Sequence, residues 1–120
     1  MEKTRIERAI EYITKLFQGI GDGHDLSHSL RVYKNALMIA KAEGQGEEEM
    51  IALSALLHDC DDHKLFHTEN NANARCFLQQ EGLSEERIEE ICRNINSVSF
   101  SKNRGKVPET IEGKIVQDAD

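Results

Sequence analysis

Met50-Ile51-Ala52-Leu53-Ser54-Ala55-Leu56-Leu57-His58-Asp59 is an almost wholly apolar, helix-like run that ends on a histidine and an aspartate. Two polar side chains at that place are costly unless something satisfies them. A buried carboxylate without a partner costs several kcal/mol even after relaxation, and a divalent cation is the partner that would also explain the histidine beside it. The doublet therefore reads as a metal site. Adjacent helical positions diverge by about 100°, so both groups reach one ion only where the helix ends. The polar, non-periodic stretch from Cys60 to Thr68 reads as the loop that frees them.

Working outward, Gly23-His24-Asp25-Leu26-Ser27-His28 opens a second helix, with Asp25 as its cap and Glu43 near its end, before Gly44 and Gly46 break it. His28 shares a line with Val32 and Ile39, at the border of the arc formed by Leu26, Leu30, Tyr33, Leu37 and Ala40. It is expected to face inward or onto a cleft rim. Glu47, Glu48 and Glu49 then suit the positive end of the third helix. Near the C-terminus, Asp118 follows Ile111 by seven positions and Ile115 by three, which places it on the apolar side of its helix. Three helices thus each aim a ligand inward: His28, His58 with Asp59, and Asp118. Asp120 reads as an outer group or the chain end, while His24, His63 and His67 read as solvated.

The remaining elements are also helical. Ile6, Ala9, Ile10, Ile13, Leu16 and Phe17 predict a first helix from Glu2 to Gln18. Thr68 or Asn70 is placed to cap a fourth. Ser84 caps a fifth, whose inner face is Ile88, Ile91, Cys92 and Ile95. Ser97 to Val107 reads as a basic-leaning loop, and Pro108 as part of the first turn of a sixth helix. No hairpin signal or internal repeat appears. The expectation is one all-α domain over residues 1–120, a helical bundle that stops at Asp120 inside an amphipathic pattern and so looks truncated at its C-terminal end.

Composition narrows the function. A formal net charge of −7, with Lys and Arg scattered among acids, supplies no basic stripe for a nucleic-acid backbone and favours a small-molecule partner. A homo-oligomer is compatible with it. No apolar run approaches the roughly 18 residues of a membrane span, and Met1-Glu2-Lys3-Thr4-Arg5-Ile6 lacks the apolar core of a signal peptide, so a cytoplasmic protein is expected. Three cysteines without a CxxC pair suit neither a disulfide framework nor a thiolate zinc site. Cys76 and Cys92 read as small core hydrophobes, and Cys60 as a neighbour of the metal.

In its order of a histidine, a later His-Asp doublet and a distal aspartate on a helical bundle, the sequence resembles the HD superfamily of metal-dependent phosphohydrolases. His28 in His-Asp-Leu-Ser-His-Ser-Leu-Arg-Val matches the first ligand, His58 and Asp59 in Ala-Leu-Leu-His-Asp the doublet, and Asp118 in Gln-Asp-Ala-Asp the last. The closest resemblance is to a bacterial subgroup with the Gln-Asp-Ala-Asp ending, some of whose members are similar to nucleotide pyrophosphohydrolases. What this implies is a metal-dependent hydrolase of nucleotides or other small phosphate esters; imidazole and carboxylate ligands without thiolates suit Mn2+, Mg2+, Fe2+, Ni2+ or Zn2+ as the ion. Some HD nucleotidases carry a catalytic acid three residues after the doublet. Asp62 stands there, shorter than the glutamate of those enzymes, and is the expected proton-transfer group. Lys64, with Lys102 and Arg104 behind it, is placed to neutralise substrate phosphates. Two other functions fit the same residues: a cyclic or signalling nucleotide phosphodiesterase, and a metal-stabilised helical interaction module without turnover.

Overall fold

A computed structural model of the chain describes residues 4–18, 24–44, 46–61, 71–104 and 111–119, and every regular element among them is an α-helix. In chain order these are α1 (Arg5–Phe17), α2 (His24–Glu43), α3 (Glu48–Leu57), α4 (Ala72–Gln80), α5 (Glu85–Arg104) and α6 (Ile111–Ala119). The all-α expectation is met.

The quoted run organises the rest. Every residue of α3 from Met50 to Leu57 is buried, because a helix apolar on all sides has no face to give to water. Two clusters meet on it. Met50, Leu53, Leu56 and Leu57 pack with Ala9, Ile13 and Phe17 of α1, Ala74, Phe77 and Leu78 of α4, and Ile88, Ile91, Cys92 and Ile95 of α5. Ile51 and Ala55 turn the other way, against Val32, Ala36 and Ala40 of α2 and Ile115, Val116 and Ala119 of α6. The small residues on α2 let its backbone lie close to its neighbours. The inward face of α2 is therefore centred on Ser29, Val32, Ala36 and Ala40, while Leu26, Leu30, Tyr33 and Leu37 flank it half-buried.

Local chemistry sets several ends. Thr4 caps α1, its hydroxyl accepting from the Glu7 amide at 3.1 Å, so the helix begins after Thr4 and not at Glu2. α2 begins at His24, which puts Asp25 inside its first turn instead of before it. At Gly46, between α2 and α3, φ is +86° and a Cβ would lie 2.7 Å from Ile51 Cδ1. Only glycine fits there. The Ser84 hydroxyl accepts from the Arg87 amide at 3.3 Å at the start of α5, as expected of a cap.

Three expectations are corrected. The stretch 97–104 is not loop but the continuation of α5 to Arg104, since polar residues alone do not end a helix and no Gly or Pro interrupts it before Gly105. The residue preceding α4 is Asn71, in the left-handed conformation with φ 57° and making no side-chain cap bond, so neither Thr68 nor Asn70 holds the capping position. Cys76 is exposed. The inner face of α4 is Ala74, Phe77 and Leu78, and Cys76 lies a quarter-turn or more away from it. Pro108 lies outside the described residues. No helix among the described residues is long and apolar enough to cross a membrane.

Candidate metal centre

The tight connection through Gly44 and Gly46 folds α3 back along α2, so the first turns of α2 come to lie beside the C-terminal end of α3. That brings His28 to the doublet. His58 is the C-terminal cap of α3, with φ −62° and ψ −28°, and Asp59 begins the turn that follows. The helix thus ends where two adjacent side chains must stop diverging.

Asp59 Oδ2 lies 3.2 Å from His58 Nε2 and 3.9 Å from His28 Nε2. The two imidazole rings sit 5.4 Å apart between centroids, at 57° to each other. One ligand atom from each of His28, His58 and Asp59 falls within 4.8 Å of the others, the spread of donors around a single cation. Burial is graded: the His58 side chain is 4% exposed, Asp59 27% and His28 33%. One wall is therefore dry, and the mouth opens past His28 and Asp59.

His58 Nδ1 lies 2.7 Å from the Ala55 carbonyl. A carbonyl oxygen only accepts, so Nδ1 carries the proton and donates it, which directs Nε2 toward Asp59. In the neutral ring this nitrogen presents a lone pair to a carboxylate oxygen, and a positive charge between them turns repulsion into binding. A backbone carbonyl that fixes the far nitrogen is also the usual support of a ligating histidine. Two imidazoles and a carboxylate without thiolate suit Mn2+, Fe2+, Ni2+ or Zn2+, with carboxylate chemistry extending to Mg2+. The residues present fit a divalent cation.

The other groups separate clearly. Asp118 is exposed and is not one of the three residues whose ligand atoms converge. The inward face of α6 is Gly113, Ile115, Val116 and Ala119, whereas Ile111, which shares a helical line with Asp118, is itself 44% exposed. Alignment with Ile111 was thus a poor guide to the apolar side. α6 does run toward the site: Glu112 accepts from the Glu47 amide at the start of α3, while the Ala119 carbonyl accepts from Asn35 of α2 at 3.4 Å. Asp62, Lys64, His63, His67 and Asp120 lie outside the described residues. Lys102 and Arg104 belong to α5.

Cys60 is fully buried, and burial first, then the neighbouring Asp61, pushes its thiol well above the usual range. It is held as a neutral thiol, and its sulfur is not among the ligand atoms that converge. The residue missed by sequence reasoning is Asp61, whose oxygens accept from the Asn73 and Ala74 amides at 2.9 and 3.1 Å. No signal in the sequence pointed to it, since Thr68 and Asn70 stood nearer as candidate caps for the fourth helix.

The family described as HD domain matches this chain over residues 25–120, which takes in His28, His58, Asp59 and Asp118. The chain is also 31% identical over 124 residues to the uncharacterized protein YpgQ of Bacillus subtilis (strain 168), a match that covers 99% of this chain and 60% of that protein. It thus spans 60% of the length of that relative.

Proposed function

The chain belongs to the HD domain family, and from that premise we propose that it is a divalent-metal-dependent phosphohydrolase acting on a nucleotide or another small phosphate ester. The observation that carries the proposal is the convergence of His28, His58 and Asp59 within 4.8 Å. A cation held there supplies Lewis-acid polarisation of a phosphoryl oxygen and acidifies an attacking water. The protein's own groups do the rest. Ala55 orients the His58 ring through its carbonyl, and the partly exposed His28 and Asp59 line the side from which a phosphate approaches. In this proposal Asp62 moves the proton and Lys64 neutralises phosphate charge. We propose Asp118, in the last turn of the helix that runs toward the doublet, as the fourth ligand, although its side chain is exposed and does not converge with the other three in this structure. We place the protein in the cytoplasm, as its composition suggests.

The test is a panel of nucleoside triphosphates, nucleoside monophosphates, cyclic nucleotides and simple phosphate esters, incubated with chelator-stripped protein and then with added Mn2+. Release of phosphate or pyrophosphate that needs Mn2+ and vanishes in Asp59→Ala, with the fold intact by circular dichroism, is the expected result. Turnover confined to cyclic substrates would make it a phosphodiesterase. Tight Mn2+ binding with no turnover across the panel would overturn the enzyme and leave a metal-stabilised helical module.

A further inference from the structure

Past the doublet, the backbone from His58 to Asp61 is closed locally by the Cys60 amide, which donates to the Leu57 carbonyl at 3.2 Å. Its further restraint comes from α4. Asp61 Oδ1 accepts from the Asn73 amide at 2.9 Å and Oδ2 from the Ala74 amide at 3.1 Å, while Asn73 Nδ2 reaches back to the Cys60 carbonyl at 2.7 Å. The buried Cys60 thiol also donates to Asp61 Oδ2 at 3.5 Å.

This exchange solves two problems at once. The first amides of any helix have no partner within it, and Asn71 offers α4 no side-chain cap. A carboxylate is the best acceptor at that positive end, and here it comes from a residue twelve positions upstream. In return, the peptide between Asp59 and Asp61 is pinned to a helix that is itself anchored in the core by Ala74, Phe77 and Leu78.

The geometry points to Asp61 as a positioning residue: its carboxylate, gripped by the first turn of α4, fixes where Asp59 stands relative to His28 and His58 and thereby sets the affinity for the cation. The inference rests on the metal-hydrolase reading above. Both Asp61 oxygens are engaged with amides, so it acts through the turn and not by touching the ion.

Mn2+ alone, titrated calorimetrically into the full chelator-stripped chain at one pH and well below the melting temperature, tests this. Asp61→Ala is expected to weaken binding about 10- to 100-fold, the usual effect of losing a partner that orients a ligand. Asp61→Asn keeps one acceptor oxygen and is expected to fall between Asp61→Ala and the parent. Arg8→Ala cuts a pairing at the opposite end of α4, so it is expected to lower stability while binding Mn2+ as the parent does. Parent-like affinity in both Asp61 variants, or an equal loss in Arg8→Ala, overturns the inference and leaves the functional proposal standing. A parent chain that takes up no Mn2+ overturns both. Should Asp61→Ala fail to fold, Asn73→Ala deletes only the bond to the Cys60 carbonyl: weaker binding is expected, and unchanged binding refutes the role.

Discussion

Removing the carboxylate of Asp59 takes away the oxygen that, among the described residues, lies near both His28 Nε2 and His58 Nε2. Asp59→Ala and His58→Ala are each expected to lose Mn2+ binding by more than the roughly 100-fold typical of outer partners, read by calorimetry alongside a melting curve that confirms the fold. Asp118→Asn is the separate test of the fourth ligand. At least a 10-fold loss is expected if it binds the ion, and unchanged affinity would restrict the set to three. At this scale the sequence was most informative where polarity broke an apolar pattern. His58 and Asp59 stood out because nothing within Met50–Leu57 is charged, and His28 because its line bordered an apolar arc. Asp118 was harder to place, since the direction of a short helix depends on which neighbour it meets, and Ile111 does not mark the buried side. Asp61 could not be read at all, because its partners are backbone amides brought to it only by folding.

The helices are tied to one another by polar contacts whose strength depends on conditions. Arg8 grips Glu81 in a two-pronged pairing, Nε to Oε2 at 2.8 Å and Nη2 to Oε1 at 2.7 Å, which joins α1 to the end of α4. The Arg8 hydrogen bond holds the Glu81 carboxyl below its ordinary 4.5, against a smaller opposing effect of desolvation. A carboxyl lowered in this way adds stability above its unfolded pKa and gives it up as the pH falls through the folded value. Arg8→Ala should therefore cost about 0.5–1 kcal/mol at pH 7, a modest figure because the Arg8 side chain is 42% exposed. The gap between the two proteins should narrow as the pH falls below 4.5 and close once the pH has passed the lowered folded value, in urea titrations run across pH. Deeper in, Asn94 of α5 donates to Ser54 of α3 at 3.4 Å, both side chains being buried. Asn94→Ala should cost about 1–3 kcal/mol by denaturant midpoint, since it strands a buried polar partner. Element identity was legible from 3.6-residue periodicity. The extent of α5 was not, because polar residues past Ser97 resemble a loop until a true breaker is sought.

For the whole molecule, α3 makes stability and site inseparable. Leu56 is fully buried in the cluster shared by α1, α3, α4 and α5, and Leu56→Ala should cost about 2–5 kcal/mol. In the opposite direction, Mn2+ at a hundred times its dissociation constant should raise stability by about 2.7 kcal/mol, visible as a higher melting temperature that chelator reverses. Asp59→Ala should show no such rise. Burial also sorts the three thiols: Cys60 and Cys92 are shut inside, Cys92 pushed by desolvation up to about 11, whereas Cys76 lies open. An alkylating reagent should consequently mark the native chain at a single cysteine and the denatured chain at all three. Because Cys60 abuts the doublet, the pace at which it gains that label becomes a stopwatch for how often the pocket's floor comes loose, readable by mass alone and without any substrate in hand.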